Sequence, residues 1–321
     1  MSNFQDLPDE LILKVLSYSK IKDLITCGQA SKRIRKISHD NSLWRRVTLK
    51  KKIVKTELLE LILGKGCTIL RISNSTILGS LSSNIKSQLR VLNLSQTVTD
   101  YTNCKYRSSI IDVLEELISC CCSLQILVIE GLWLTPKMAK SICKNGKTLE
   151  ILNLRYSSVD ELSSGWPRHP RRPVGSSYLQ EIFECCQELK EVDFNEVEGL
   201  SNHDLKDLAI SIPPNVEKLN LTGSDLMDTD VKILLSKCNK IKKLSLEARF
   251  ITEISLTYIR RYLNLTLEEL SLGENKITGT GFLQLKLMPK LKILNLYDEI
   301  EESKKIQYLK QQLPHLTIHT T

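Results

Sequence analysis

Val216-Glu-Lys-Leu219-Asn-Leu221 is the first of four closely similar segments that lie between Asn215 and Tyr297. The other three are Ile241-Lys-Lys-Leu244-Ser-Leu246, Leu267-Glu-Glu-Leu270-Ser-Leu272 and Leu291-Lys-Ile-Leu294-Asn-Leu296. Their first residues are 25, 26 and 24 positions apart, and each segment precedes a polar turn and a run with helical spacing. The Leu-x-Leu pair places two side chains on one side of a short strand, so each unit has one apolar face to cover.

A fixed period in the low-to-mid twenties with this core indicates leucine-rich repeats. One strand and one helix cannot bury their own apolar surface, whereas stacked copies can. Further cores occur at residues 44–49, 67–72, 89–94, 124–129, 149–154, 189–194 and, shortened, 313–318. A last helix over Glu301–Gln312 and the final short strand form a capping unit. The predicted fold class is α/β: N-terminal helices, then a repeat solenoid over 44–321 with a curved parallel sheet and helices on its convex side.

Residues 163–177 interrupt the repeat period with three prolines, two glycines and four serines. This composition predicts an insertion loop and not an extra helix. A solvated loop without function is the favoured interpretation. Contact with a partner is the alternative for Trp166, Arg168, His169, Arg171 and Arg172.

Composition places the chain among globular proteins, with 41% apolar and 26% charged residues in 321. No run approaches 18 uncharged apolar residues, and the first ten residues, which include three acids, do not resemble a signal peptide. The ten cysteines form no C-x-x-C pair, so metal binding is not predicted. Cys67, Cys122, Cys186 and Cys238 precede repeat cores, which favours buried packing positions and a reducing cytoplasm or nucleus.

The net charge is concentrated at the N-terminus. Residues 1–55 contain 13 Lys and Arg against 5 Asp and Glu, whereas residues 56–321 contain 32 of each. A basic segment indicates a nucleic acid or an acidic protein partner. No aromatic residues alternate with the basic ones, and no DNA-reading helix pattern occurs. An acidic protein surface is therefore the favoured partner, and no nucleic acid or membrane is expected.

Residues 3–49 predict a cluster of three short helices. Pro8 lies near the first turn of the first helix, and apolar residues recur after it at helical spacing. The second helix is expected from about Ile21 to Gln29 and the third from Lys32 to Ser38, with Leu43-Trp44 closing the cluster. Helices this short are unstable individually, and some forty residues are few for independent folding. Part of the apolar surface is therefore expected to meet a partner.

This stretch resembles an F-box. The shared features are Leu7-Pro8-Asp-Glu-Leu11, the apolar helix, Lys32-Arg33 and Leu43-Trp44. With the repeats and the closing Leu313-Pro-His-Leu316, the chain is similar to F-box/leucine-rich-repeat proteins of the S-phase kinase-associated F-box protein subfamily. Leu16 and Ile34 depart from the common pattern, which has Phe and Trp there, but both remain apolar.

The resemblance implies binding to the acidic Skp adaptor, which docks an F-box onto a cullin–RING ubiquitin ligase. The residues expected to be buried against the adaptor are Leu7, Pro8, Leu11, Ile12, Val15, Leu16, Leu24 and Trp44. The alternative is that the N-terminal helices only cap the solenoid.

Catalytic motifs are absent from the sequence. The five histidines are not near a nucleophile in a recognisable motif, and the sequence contains no phosphate loop, metal-ligand cluster or RING domain. No cofactor is expected, and the chain is expected to be a non-catalytic subunit of a ubiquitin ligase complex.

Protein binding is what a repeat sheet offers. Residues that alternate with the buried leucines are expected on the concave face, where they form a mixed polar surface. The candidates for substrate binding are Lys218, Asn220, Lys243, Ser245, Glu247, Glu269, Ser271, Asn295 and Tyr297. Lysine or arginine on this face would also serve a phosphorylated substrate. The predicted function is substrate recognition in an SCF-type ligase that leads to proteasomal degradation; the alternative is a binding scaffold without a ligase role.

Overall fold

The computed structural model describes residues 4–82, 85–96, 107–132, 134–157, 175–197, 202–273, 275–277, 281–297 and 303–320. The chain forms two compact units, Met1–Leu124 and Gln125–Thr321. Within the described residues, no helix is long and apolar enough to cross a membrane.

The first unit begins with a cluster of short helices. After a 3-10 turn at Phe4–Asp6, the helices are α1 (Asp9–Leu16), α2 (Ile21–Cys27), α3 (Lys32–Ser38) and α4 (Asn41–Trp44). Ile12, Leu16, Leu24, Ile34 and Ile37 form the buried core between them. Asp9 on α1 binds Arg33 on α3 at 2.6 Å, which fixes these two helices together on the exposed side.

The rest of the first unit is made of parallel strands and two helices. The elements are β1 (Arg46–Lys50), β2 (Ile53–Lys55), α5 (Thr56–Gly64), β3 (Ile69–Ser73), β4 (Thr76–Leu78), β5 (Val91–Asn93) and α6 (Arg107–Ser119). β1, β3 and β5 pair in parallel, with Val47 beside Leu70 and Leu70 beside Leu92. β2 and β4 form a separate two-stranded parallel sheet, which the sequence analysis did not predict.

The second unit repeats a strand and a helix. Its elements are β6 (Ile126–Val128), α7 (Pro136–Cys143), β7 (Ile151–Asn153), α8 (Gly175–Cys185), β8 (Glu191–Asp193), α9 (Asn202–Ser211), β9 (Lys218–Asn220), α10 (Asp228–Lys237), β10 (Lys243–Glu247), α11 (Glu253–Leu263), β11 (Glu269–Gly273), a 3-10 helix (Gly281–Leu287), β12 (Ile293–Tyr297), α12 (Ser303–Gln312) and β13 (Thr317–Thr320). Neighbouring strands in this series pair in parallel.

The register aligns the repeat leucines in one buried row. Leu219, Leu244, Leu270 and Leu294 are direct neighbours across β9 to β12, and all are buried. Burying such side chains contributes roughly 1.5–3 kcal/mol each. The predicted α/β class, with repeated parallel strands and helices after an N-terminal helix cluster, is confirmed.

Several strands end in the same turn. The side chains of Asn93, Asn153, Asp193 and Asn220 each accept a hydrogen bond from the backbone N–H two residues later, at 2.9–3.0 Å. The next residue has a positive φ, 75° at Gly223, a conformation that glycine adopts without strain. Asn and Asp favour such turns because their short side chains reach the backbone. The turn ends these strands after three residues and turns the chain toward its helix.

Two predictions are corrected by these elements. Gly175, predicted to lie in the 163–177 loop, begins α8, because the chain resumes helical hydrogen bonding there; residues 163–174, with the five candidate partner-contact residues, lie outside the described part. Cys122 is exposed, and Cys121 takes the buried position predicted for it. Buried Cys186 and Cys238 stand three residues before their repeat cores, as Cys121 does, whereas Cys122 stands two before.

Candidate functional site

A depression of about 140 Å³ opens on the solvent-facing side of β8 to β11. Strand register creates it, because it aligns Asp193, Asn220, Ser245 and Ser271 in one row across these strands. Six predicted substrate-binding residues line it: Lys218, Asn220, Lys243, Ser245, Glu269 and Ser271. The other three predicted residues lie outside this lining, Glu247 at the end of β10 and Asn295 and Tyr297 on the next strand, β12.

Two cross-strand ion pairs occupy the first row of the depression. Lys218 Nζ lies 2.9 Å from a Glu191 carboxylate oxygen, and Lys243 Nζ lies 2.6 Å from one of Glu269. The pair raises the pKa of Lys243 and lowers the pKa of Glu269, because each charge stabilises the other. The order across the sheet is therefore acid, base, base, acid. The two lysines are adjacent, but each is directed to its outer glutamate.

The second row of the depression presents mainly hydroxyl and amide groups. Asn295 Nδ2 donates to Ser271 Oγ at 2.9 Å and to a Glu269 oxygen at 3.2 Å. The hydroxyls of Thr222 and Ser245 lie 3.0 Å apart and share a hydrogen bond. These bonds fix the polar side chains in place, so a ligand would meet a preorganised surface.

Asp193 is the acid of this row, and the sequence analysis missed it together with Glu191. One Asp193 oxygen accepts the Asn195 backbone N–H at 3.0 Å, and the other accepts from Asn153 Nδ2 at 3.3 Å. Burial raises the pKa of Asp193, because it disfavours the charged form. The alternation used for the last four repeats, applied to Leu189–Phe194, would have found both residues.

A row of ion pairs runs along the edge where the strands of the second unit begin. The residues just before β7 to β12 alternate in sign: Glu150, Lys190, Glu217, Lys242, Glu268 and Lys292. They form three salt bridges of 2.8, 2.7 and 3.1 Å in that order. Opposite charges on adjacent strands stabilise a sheet modestly when exposed.

The depression offers binding groups and no recognisable catalytic set. Within the residues that the structure describes, no group of three or more histidine, cysteine or acidic side chains could hold a metal ion. Burial raises the pKa values of Cys67, Cys186 and Cys238, to about 11, about 12 and about 11, so these thiols are poor nucleophiles. The chemistry on offer in the depression is hydrogen bonding and ion pairing.

The N-terminal helices expose a second candidate surface. Leu11 is 52% exposed, Val15 48% and Tyr18, just beyond the end of α1, 80%. Leu11 and Val15, at i and i+4, share one face of α1, and Tyr18 follows in the turn at its end; we call these three residues the apolar stripe. Phe4 and Ile25 are also exposed apolar residues of this cluster. The sequence analysis predicted Leu11 and Val15 for the adaptor surface but missed Phe4, Tyr18 and Ile25.

Four predicted adaptor-binding residues are corrected. Ile12, Leu16 and Leu24 are buried in the core of the helix cluster, and Trp44 is buried with its indole N–H donating to the Ser38 carbonyl at 2.9 Å. They pack inside the cluster because the faces of such short helices turn toward one another to bury apolar area. They support the exposed stripe and do not form it.

The other residues of this prediction lie at or near the surface. Pro8 is exposed and Leu7 is half-buried, and their binding role stays a prediction. Leu16 and Ile34, which depart from the common F-box pattern, both lie in the buried core. These two substitutions therefore act on the packing of the helices and not on an exposed contact.

Two family comparisons cover nearly the whole chain. The model of the SKP2 LRR domain family matches residues 57–321, and the F-box-like model matches residues 4–50. The chain belongs to the SKP2 LRR domain family. F-box/LRR proteins are generally non-catalytic substrate adaptors, so this chain has the domain composition of a substrate receptor of a ubiquitin ligase.

Solved structures of similar fold include the yeast Rad7–Elc1 complex, with a TM-score of 0.51 and 14% identity. An internalin of Listeria monocytogenes matches with a TM-score of 0.48 and 15% identity. Each match covers 98% of this chain and 89% of the other. At this low identity, the likeness to the Rad7–Elc1 structure shows a shared fold.

Proposed function

We propose that the chain is the substrate-recognition subunit of an SCF-type ubiquitin ligase in the cytoplasm or nucleus. Its F-box binds the Skp adaptor, which connects it to a cullin–RING ligase, and its repeats hold the protein to be ubiquitinated. Its contribution to the rate is proximity, because it holds the substrate near the ubiquitin-loaded enzyme and makes no bond itself.

The observation that carries this proposal is the apolar stripe of Leu11, Val15 and Tyr18. Leu11 and Val15 on α1 and Tyr18 just beyond its end are large exposed side chains, which are costly to leave in water and favour a partner that covers them. Lys14 on α1 and Lys20 and Lys22 just after it are exposed cations of the same helix cluster and suit an acidic adaptor. The Rad7 structure of similar fold is itself a complex with a second protein, Elc1.

The depression across β8 to β11 is the proposed place for a substrate segment. Lys218 and Lys243 are already paired with Glu191 and Glu269, so a phosphate would have to displace a glutamate to reach either amine. A segment that offers amide and hydroxyl groups meets Asn220, Ser245 and Ser271 without that cost. We therefore favour an unphosphorylated polar segment at this site.

Capture of the full-length chain by purified Skp adaptor tests the proposal. The variant Leu11→Asp with Val15→Asp should lose capture, because it buries two carboxylates in an apolar contact. The matched control is Ile254→Asp with Leu287→Asp, two equally exposed apolar residues of the second unit, which should bind as the wild type does.

Circular dichroism of both variants checks that the helices remain folded. Unchanged capture by the Leu11 and Val15 variant would refute the proposed contact surface. A wild-type chain that does not bind the adaptor would favour the alternative, a repeat scaffold whose N-terminal helices only cap it.

A further inference from the structure

The solvent-facing side of the first unit's sheet carries only positive charge. Arg46 and Lys50 lie at the two ends of β1, and Arg71 lies on β3. We define these three residues as the cationic face. All three are exposed, because they alternate with the buried Val47, Leu49, Leu70 and Ile72.

The cationic face is compact. Arg71 pairs in register with Thr48, midway between Arg46 and Lys50. The neighbouring strands are about 4.8 Å apart, and Arg46 and Lys50 are about 13 Å apart along β1. Three cations therefore point from one rigid surface. Lys51 and Lys52 continue the charge into the turn after β1, and both are exposed.

Among the described residues, no carboxylate lies on this side of β1, β3 and β5. The remaining residues of β1, β3 and β5 on this side are Thr48, Ile69, Ser73, Val91 and Asn93. Within the described part of the chain, Arg46, Lys50 and Arg71 make no ion pair and no side-chain hydrogen bond. Arg45 and Arg90, just before β1 and β5, add two exposed cations at the strand edge; the charge of Asp40 acts on Arg45.

The chemistry of the face selects its partner. Guanidinium groups bind carboxylates with two parallel hydrogen bonds, and the strands hold two of them on adjacent rows. No aromatic side chain occurs among the residues of this side on β1, β3 and β5, so nucleic acid bases would have no stacking platform. We propose that the cationic face binds an acidic polypeptide segment, rich in Asp and Glu, of a partner protein. This surface is distinct from the apolar stripe of the F-box and from the depression on β8 to β11.

Fluorescence anisotropy of a labelled oligo-glutamate peptide with the full-length chain tests the proposal. The peptide should bind, and binding should weaken as salt rises. Arg46→Glu with Arg71→Glu should weaken it by about tenfold or more, since it removes two charge-assisted contacts and adds repulsion. Arg46→Gln with Arg71→Gln should give a smaller loss, which separates charge from folding defects.

The matched control is Lys140→Glu with Lys310→Glu, which makes the same change in net charge at two exposed helix positions of the second unit. It should keep most of the wild-type affinity. Leu11→Asp with Val15→Asp should also bind the peptide normally, so failure of adaptor binding and failure of this surface can be distinguished. The proposal is overturned if the arginine variants bind as the wild type does, if the peptide does not bind, or if duplex DNA or RNA binds more tightly than the peptide.

Discussion

The strands of the two units bury the same kind of apolar side and differ in the charges they expose on the other. In the first unit, Arg46, Lys50 and Arg71 face solvent, and no acid lies on the same side of strands β1, β3 and β5. In the second, Lys218 and Lys243 occupy comparable rows, and each is bound to a glutamate on a neighbouring strand. The first unit holds 19 Lys and Arg against 11 Asp and Glu, and the second holds 26 of each.

The comparison shows which residues of a repeat are needed for stacking and which can vary. Stacking of the repeats requires the leucine row, because burial of these leucines drives the units to associate. The opposite face lies in water, where charge has little effect on folding. Charges there are free to suit a partner, and the strands of the two units accordingly present different surfaces.

The largest effect is expected at the buried leucines, which the strands of both units have in common. Leu70→Ala on β3 and Leu244→Ala on β10 should each lower the free energy of unfolding by about 3 kcal/mol, because both side chains are fully buried between neighbouring strands. Chemical denaturation of each variant beside the wild type measures the loss. Thr48→Ala, on the solvent side of β1, is the control and should cost less than about 0.5 kcal/mol. A loss at only one of the two leucines would contradict the claim that the strands of both units have the same kind of core.

A smaller effect is expected at the exposed charges, in which the two units differ. Lys243→Glu replaces the attraction to Glu269 with repulsion and should destabilise the protein by about 1 kcal/mol at low salt. Arg46→Glu should cost nothing or stabilise slightly, since no acid faces it. Thermal unfolding at low and high salt measures both, and salt should reduce the difference between the variants. If Lys243→Glu and Arg46→Glu destabilised the protein equally, the view that Lys243 is ion-paired and Arg46 is not would be contradicted.

The smallest effect concerns the stability of the protein at low pH. Lys243 and Asn295 hold the pKa of Glu269 below its ordinary value of 4.5. A lowered carboxyl pKa stabilises the folded state above the unfolded pKa, and this contribution is lost as pH falls through the folded pKa. Glu269→Gln should therefore be less stable than the wild type at neutral pH, by about 0.5 kcal/mol. Denaturation at a series of pH values should show the two proteins converging below about pH 4.5. A constant gap across this range would mean that the ion pair is not its cause.

The sequence predicted the fold well because the repeat pattern is local. Leu-x-Leu spacing identified strands that the structure places at Lys218–Asn220, Lys243–Glu247, Glu269–Gly273 and Ile293–Tyr297. It predicted six residues that line one depression, since alternation along a strand decides which side chains face solvent. It failed for Ile12, Leu16, Leu24 and Trp44, because an apolar residue on a short helix can face either its own core or a partner.

The repeat, the buried leucine row and the excess of positive charge in the first unit follow from the order of the amino acids alone. Which charges meet depends on how the strands pair in the folded chain. Lys243 and Glu269 are 26 positions apart in the chain, and the parallel register of β10 and β11 makes them neighbours. Arg46 and Arg71 are brought onto one face by the same kind of pairing, with no acid between them. The physical reason is that strand pairing joins residues one repeat apart, so the charge of a surface depends on register as well as on composition.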